Sequence, residues 1–134
     1  MRVYVASRVR HAPWWRYYRD ECGWDIISTW IDEAGEGQTA DMSELWARIT
    51  DEVRRCDGLL LFAEAADFPL KGALVEAGMA IALGKPVAVV IPDGFDGESF
   101  QPIGSWIRHP LCRTFATFVQ AKRWLDGLTR EDVE

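Results

Sequence analysis

Glu76 is the only acid in the apolar run Gly72-Ala73-Leu74-Val75-Glu76-Ala77-Gly78-Met79-Ala80. A carboxylate among apolar neighbours is expensive unless it is paired or used. The run follows Cys56-Asp57-Gly58-Leu59-Leu60-Leu61-Phe62-Ala63-Glu64. That order reads as a buried strand, a short polar loop and an apolar helix. Glu76 then stands one turn into the helix, near the carboxyl end of a central strand. Open α/β sheets bind their ligands at that edge. The expectation is a working carboxylate.

Other chemistries lack their residues. No GxGxxG follows the first strand and no GxxxxGK[ST] occurs, so the phosphate cradles of dinucleotide and P-loop proteins are missing. No GxSxG elbow is present. The first strand does not end in the acidic pair of a phosphoacceptor domain. With only His11 and His109, a histidine metal site is not expected, and neither is a cofactor. Cys22, Cys56 and Cys112 are widely spaced, which suits a reducing cytoplasm and no structural zinc. A net charge of −6 argues against coating a nucleic-acid polymer. No apolar run has the length of a membrane span. Met1-Arg2-Val3-Tyr4-Val5 enters a strand directly and does not read as a signal peptide.

The elements that must position Glu76 follow from periodicity and breakers. Arg2 to Ala6 is the first strand, and Ser7 to Arg10 a loop. Pro13 opens a helix that Gly23 stops. Asp25 to Ser28 reads as a second strand, and Thr29 to Gln38 as a glycine-bearing loop. A second helix spans Asp41 to Arg55, with Met42, Leu45, Trp46, Ile49 and Val53 on one face. Asp41 with Glu44 resembles a capping box. Gly58 to Ala63 is a strand buried on both faces. The Glu76 helix runs from Lys71 to Leu83 and stops at Gly84. Val87 to Ile91 is a fourth strand, Pro92 to Pro110 a long loop and Leu111 to Phe115 a fifth strand. Thr117 can cap a last helix with Phe118, Ala121, Leu125 and Leu128 inward. Residues 1–128 are expected to form one domain, followed by a charged tail, 129–134.

The alternation of strands and helices means an α/β fold, a doubly wound five-stranded parallel sheet of Rossmann or flavodoxin type. The expected strand order is 2-1-3-4-5. The crevice then lies between the ends of the first and third strands. Ser7, Arg8, Glu64, Leu70, Lys71, Gly72 and Glu76 would line it. Trp30 and Asp32 follow the second strand, where an aromatic ligand can be held. Asp51, Asp41 and Glu64 are candidates for an assisting acid. Asp51 stands late in its helix, where the dipole disfavours it and a local role is weak. Asp41 has a local explanation as a cap. The Trp14, Trp15, Tyr17 and Tyr18 cluster is read as packing a helix against the sheet or a partner.

Three segments together resemble the nucleoside 2-deoxyribosyltransferase superfamily, which includes 2'-deoxynucleoside 5'-phosphate N-hydrolases. They are Val3 to Arg8, Cys56 to Leu61 and Ala73 to Ala80. The resemblance implies that Glu76 is the nucleophile that cleaves an N-glycosidic bond through a glycosyl-enzyme intermediate. It implies that Ser105, in Ser105-Trp106-Ile107-Arg108, reaches the 5'-phosphate in a neighbouring subunit's site, and hence a homodimer or larger. The partner would be a small nucleoside or nucleotide, with no membrane involved. Two places depart from the pattern. Ala6 precedes Ser7 where the family usually carries glycine. Leu70 stands six places before Glu76, where the family often has Asp or Ser against the sugar.

The residues also admit a binding module of the same fold that senses a nucleotide-like ligand without chemistry. A third reading is an interaction protein whose tryptophans meet partners. The first would release a base; the third would have no pocket at the strand ends.

Overall fold

The structure is a computed structural model that describes residues 1–33, 41–92 and 103–133. Its centre is a parallel sheet of four strands in the order β1-β2-β3-β4. These are β1 (Val3–Ala6), β2 (Gly58–Phe62), β3 (Val87–Val90) and β4 (Cys112–Phe115). Val5 pairs with Leu60, Leu60 with Ala88, and Ala88 with Arg113. Every residue of β1, β2 and β3 is buried. Parallel strands with helices over both faces must be apolar throughout, and these are. The helices are α1 (Ala12–Asp20), α2 (Met42–Arg55), α3 (Gly72–Ala82) and α4 (Phe118–Val133). α2 packs on α3. α1 meets α4 through Trp15, whose ring lies edge-on to Phe118 at 5.1 Å and to Phe62 of β2 at 6.4 Å.

The sheet has four strands, not the five expected in the order 2-1-3-4-5. Asp25–Ser28 forms only one parallel bridge, Ile26 to Val3. The reason lies in the next two hydrogen bonds along the edge of β1. The Val5 N–H donates to Ser28 Oγ at 2.7 Å, and the Trp30 indole donates to the Val5 carbonyl at 2.8 Å. Side chains take the places a second strand's backbone would fill, and the chain turns into a 3-10 turn at Thr29–Asp32.

α4 runs to Val133. Thr129 to Glu131 include no Gly or Pro to stop it. The long segment after β3 carries a 3-10 turn at Ser105–Arg108, and residues 93–102 lie outside the described part. So do Gly35 and Gly37 of the expected 29–38 loop. Asp41 caps α2 as its spacing suggests, accepting from the Ser43 and Glu44 amides at 2.9 and 3.2 Å. Trp15 and Tyr18 pack inward, whereas Trp14 and Tyr17 are exposed. Among the described residues no helix is long and apolar enough to cross a membrane.

Candidate active site

A cavity of about 390 Å³ opens at the carboxyl end of β1. α2 supplies Met42, Leu45 and Ile49; the 3-10 turn supplies Trp30. The segment entering α3 supplies Leu70, Lys71, Gly72 and Ala73, and Ser7, Arg8, Val9 and Glu33 complete the lining. Glu76 reaches it from the first turns of α3 and is 7% exposed. Gly72 lies against the Trp46 ring of α2, which a Cβ at that position would meet at van der Waals distance, 3.4 Å.

Glu76 accepts a hydrogen bond from the Tyr4 hydroxyl at 3.1 Å. Burial, with the charge of Glu52 adding to it, pushes the Glu76 carboxyl up to about 8; the Tyr4 hydrogen bond works the other way. The Tyr4 phenol is itself held well above its usual value, first by burial and then by Glu76. Glu52 lies on the inner face of α2, 1% exposed. It accepts from the Thr29 N–H at 3.2 Å and the Thr29 hydroxyl at 2.6 Å.

The structure brings Ser7, Arg8, Trp30, Leu70, Gly72 and Glu76 to one cavity. Two of them are already engaged. The Ser7 hydroxyl donates to the Arg8 carbonyl at 3.0 Å and accepts from the Trp15 indole at 2.9 Å. The Arg8 guanidinium donates to the Asp67 carbonyl at 2.9 Å and to that of Pro69, so it holds the loop before α3.

Four expected residues lie elsewhere. Asp51 is on the exposed face of α2, paired with Arg55 at 2.8 Å. It is therefore not placed to assist at the cavity; the next residue, Glu52, is the acid that α2 turns inward. Asp32 pairs with Arg19 at 2.7 Å and does not line the cavity. Glu64 pairs with Arg10 at 2.9 Å and does not line the cavity. Ser105 opens its own 3-10 turn and lies outside this chain's cavity.

Sequence reasoning missed Tyr4, Glu52 and Asp67. Glu52 had a signal: it falls on the stripe of Ile49, Val53 and Cys56. Tyr4 had a weaker one, since a buried tyrosine hydroxyl needs a partner. Asp67 is buried and accepts from Arg10 Nε at 2.9 Å, faces His11 Nε2 at 2.8 Å and accepts from the Glu64 amide at 2.9 Å. Burial opposes its charge, but the amide, His11 and Arg10 together hold its carboxyl below the usual range. With His11 and Glu64 it offers three ligand atoms within 4.8 Å of one another. Those atoms already serve one another and Arg10, so the cluster works as a clamp on the 64–71 loop.

A parallel α/β sheet with a buried carboxylate at its strand ends defines an open α/β fold with a ligand crevice. Solved structures that share this fold include two enzymes. A CMP N-glycosidase, BcmB, from Clostridium botulinum matches with a TM-score of 0.56 and 17% identity over 98% of this chain and 99% of that one. A 2-deoxyribosyltransferase from Bacillus psychrosaccharolyticus matches with a TM-score of 0.67 and 17% identity over 90% and 89%. No protein-family model matches the chain, and no curated protein matches it in sequence. The chain thus shares the fold of a CMP N-glycosidase and of a 2-deoxyribosyltransferase.

Proposed function

We propose that this protein cleaves or exchanges the N-glycosidic bond of a nucleoside or its 5'-monophosphate, with Glu76 as nucleophile. The observation that carries the reading is the buried Glu76 carboxyl, bonded by Tyr4, reaching a cavity at the strand ends. Both fold neighbours act on such bonds by name, one as a CMP N-glycosidase and the other as a 2-deoxyribosyltransferase.

Breaking the bond leaves positive charge at the anomeric carbon as the base departs with the bonding electrons. Ionised Glu76 stabilises that charge and closes on the carbon as a glycosyl ester. Water then gives hydrolysis, and a second base gives exchange. Trp30 offers an aromatic wall for the base. The nucleophile must be ionised, and Tyr4 favours that form by donating to it. With the Glu76 carboxyl near 8 in the free protein, kcat/KM should rise with pH through that value.

Base release followed by chromatography tests the reading. Common ribo- and deoxyribonucleosides and their 5'-monophosphates are incubated with wild type and Glu76→Gln, with and without an added base. Release by wild type and a loss of at least about a thousandfold in the variant is expected. Wild-type rates in Glu76→Gln would refute the nucleophile.

Leu70 favours a second reading. It places an apolar side chain in the cavity where the family often has a polar sugar contact. A sensor would be stabilised against heat by a nucleotide and release no base from any of the panel.

A further inference from the structure

We propose that Glu52 is a positioning residue: it fixes the turn that carries Trp30, and it acts on Glu76 as a second buried charge behind the cavity wall. Only the kinetic part of this rests on the glycosidase reading.

Glu52 is a carboxylate in the middle of the inward face of α2. Such a group is retained inside a protein only with partners. Both groups that donate to its carboxylate belong to Thr29, the first residue of the 3-10 turn. Ser28 stands at the capping position of that turn, but its side chain makes no capping bond. Its oxygen is occupied by the Val5 N–H. Glu52 therefore supplies, from another element, the acceptor that Ser28 has given to β1. The next residue is Trp30, held to the Val5 carbonyl and forming one wall of the cavity. One turn earlier on α2, Ile49 forms another part of that lining. α2 thus shapes the cavity directly with Ile49 and through Thr29 with Glu52.

The same carboxylate acts on Glu76. Four elements pack on α3: β1, β2, β3 and α2. β2 and β3 contain no titratable side chain. Tyr4 faces Glu76 from β1, and Glu52 acts on it from α2. Lys71 and Arg8 stand on the cavity lining. Glu52 and Tyr4 therefore pull the protonation of Glu76 in opposite directions, each on top of the larger effect of burial, so the residue that holds the wall also adds to the proton affinity of the nucleophile.

Two substitutions separate the roles. Glu52→Gln keeps both bonds to Thr29, accepting from its N–H and donating to its hydroxyl, but removes the charge. Thr29→Val keeps the charge and removes one bond. Glutamate carboxyls labelled with ¹³C are titrated by NMR, with Glu76→Gln identifying the Glu76 signal. In Glu52→Gln the Glu76 midpoint is expected to fall by about half a unit or more, with KM unchanged. In Thr29→Val the Trp30 indole N–H is expected to exchange faster. KM should rise on the order of tenfold at unchanged kcat, and the Glu76 midpoint should stay in place.

Coincident Glu76 titrations in wild type and Glu52→Gln would overturn the electrostatic role. Unaltered Trp30 exchange in Thr29→Val would overturn the positioning role. If wild type releases no base, the glycosidase reading fails, while titration and exchange still decide what Glu52 does.

Discussion

Glu76 reaches the cavity at a cost to the protein that buries it. A carboxyl whose pKa folding raises binds its proton more tightly in the folded state. From the usual value of 4.5 up to about 8, the unfolded chain has released that proton and the folded protein has not. Stability therefore falls as pH rises across that window. Glu76→Gln keeps an acceptor for Tyr4 and has no charge to bury. It should be more stable than wild type at pH 8, by on the order of a few kcal/mol, and indistinguishable near pH 4. Urea unfolding at the two pH values checks this; equal midpoints at pH 8 would mean that Glu76 ionises freely in the folded protein. Glu76 was legible because a lone acid in an apolar helix has few structural explanations. Asp51 misled for the complementary reason. Its position late in α2 argued against a local role, yet Arg55 one turn on supplies one. Glu52, beside it, carries no sign of its burial in residue type alone; only its place on the stripe with Ile49 and Val53 marks it.

The segment between β2 and α3 is held by three polar residues that follow β1, Arg8, Arg10 and His11. Arg8 grips two carbonyls, while Arg10 and His11 meet the Asp67 carboxylate. Because folding lowers the Asp67 carboxyl below its usual 3.8, its contribution is fully present above that value and is lost as acid protonates it in the folded state. Asp67→Asn should reduce stability at pH 7 by about 1 to 3 kcal/mol, because it weakens the hydrogen bonds that the buried Asp67 carboxylate accepts from Arg10 and from the Glu64 amide. Its acid unfolding should be shallower than wild type below pH 4. A variant with wild-type stability at pH 7 would show that Arg8 alone holds the loop. This clamp was hidden because its parts lie 56 residues apart and neither end has a periodic signature. The main helices and buried strands were readable, since hydrophobic runs and breakers are local. Asp25–Ser28 was misread because strand propensity cannot reveal that Ser28 and Trp30 side chains will occupy the edge it would have joined.

At the scale of the molecule, Ser105 is the test of whether one chain suffices. It lies outside its own cavity, so the phosphate role implied by family resemblance requires a second copy. Light scattering should then show a dimer or larger. Ser105→Ala should raise KM for 5'-monophosphates and leave that for nucleosides unchanged. A monomer that is active on monophosphates would remove Ser105 from the site.

The closure of β1 has a further consequence for anyone who reshapes this cavity. Ser28 and Trp30 occupy hydrogen-bonding groups that an open edge strand would offer to another chain. Trp30 is at once a wall of the cavity and a guard on the sheet. Trimming it to admit a larger base, as in Trp30→Ala, would also free the Val5 carbonyl at the margin of the apolar β1. Pocket enlargement at this position would thus carry a risk of self-association through strand addition, whereas enlargement at Leu45 or Ile49 leaves that margin closed.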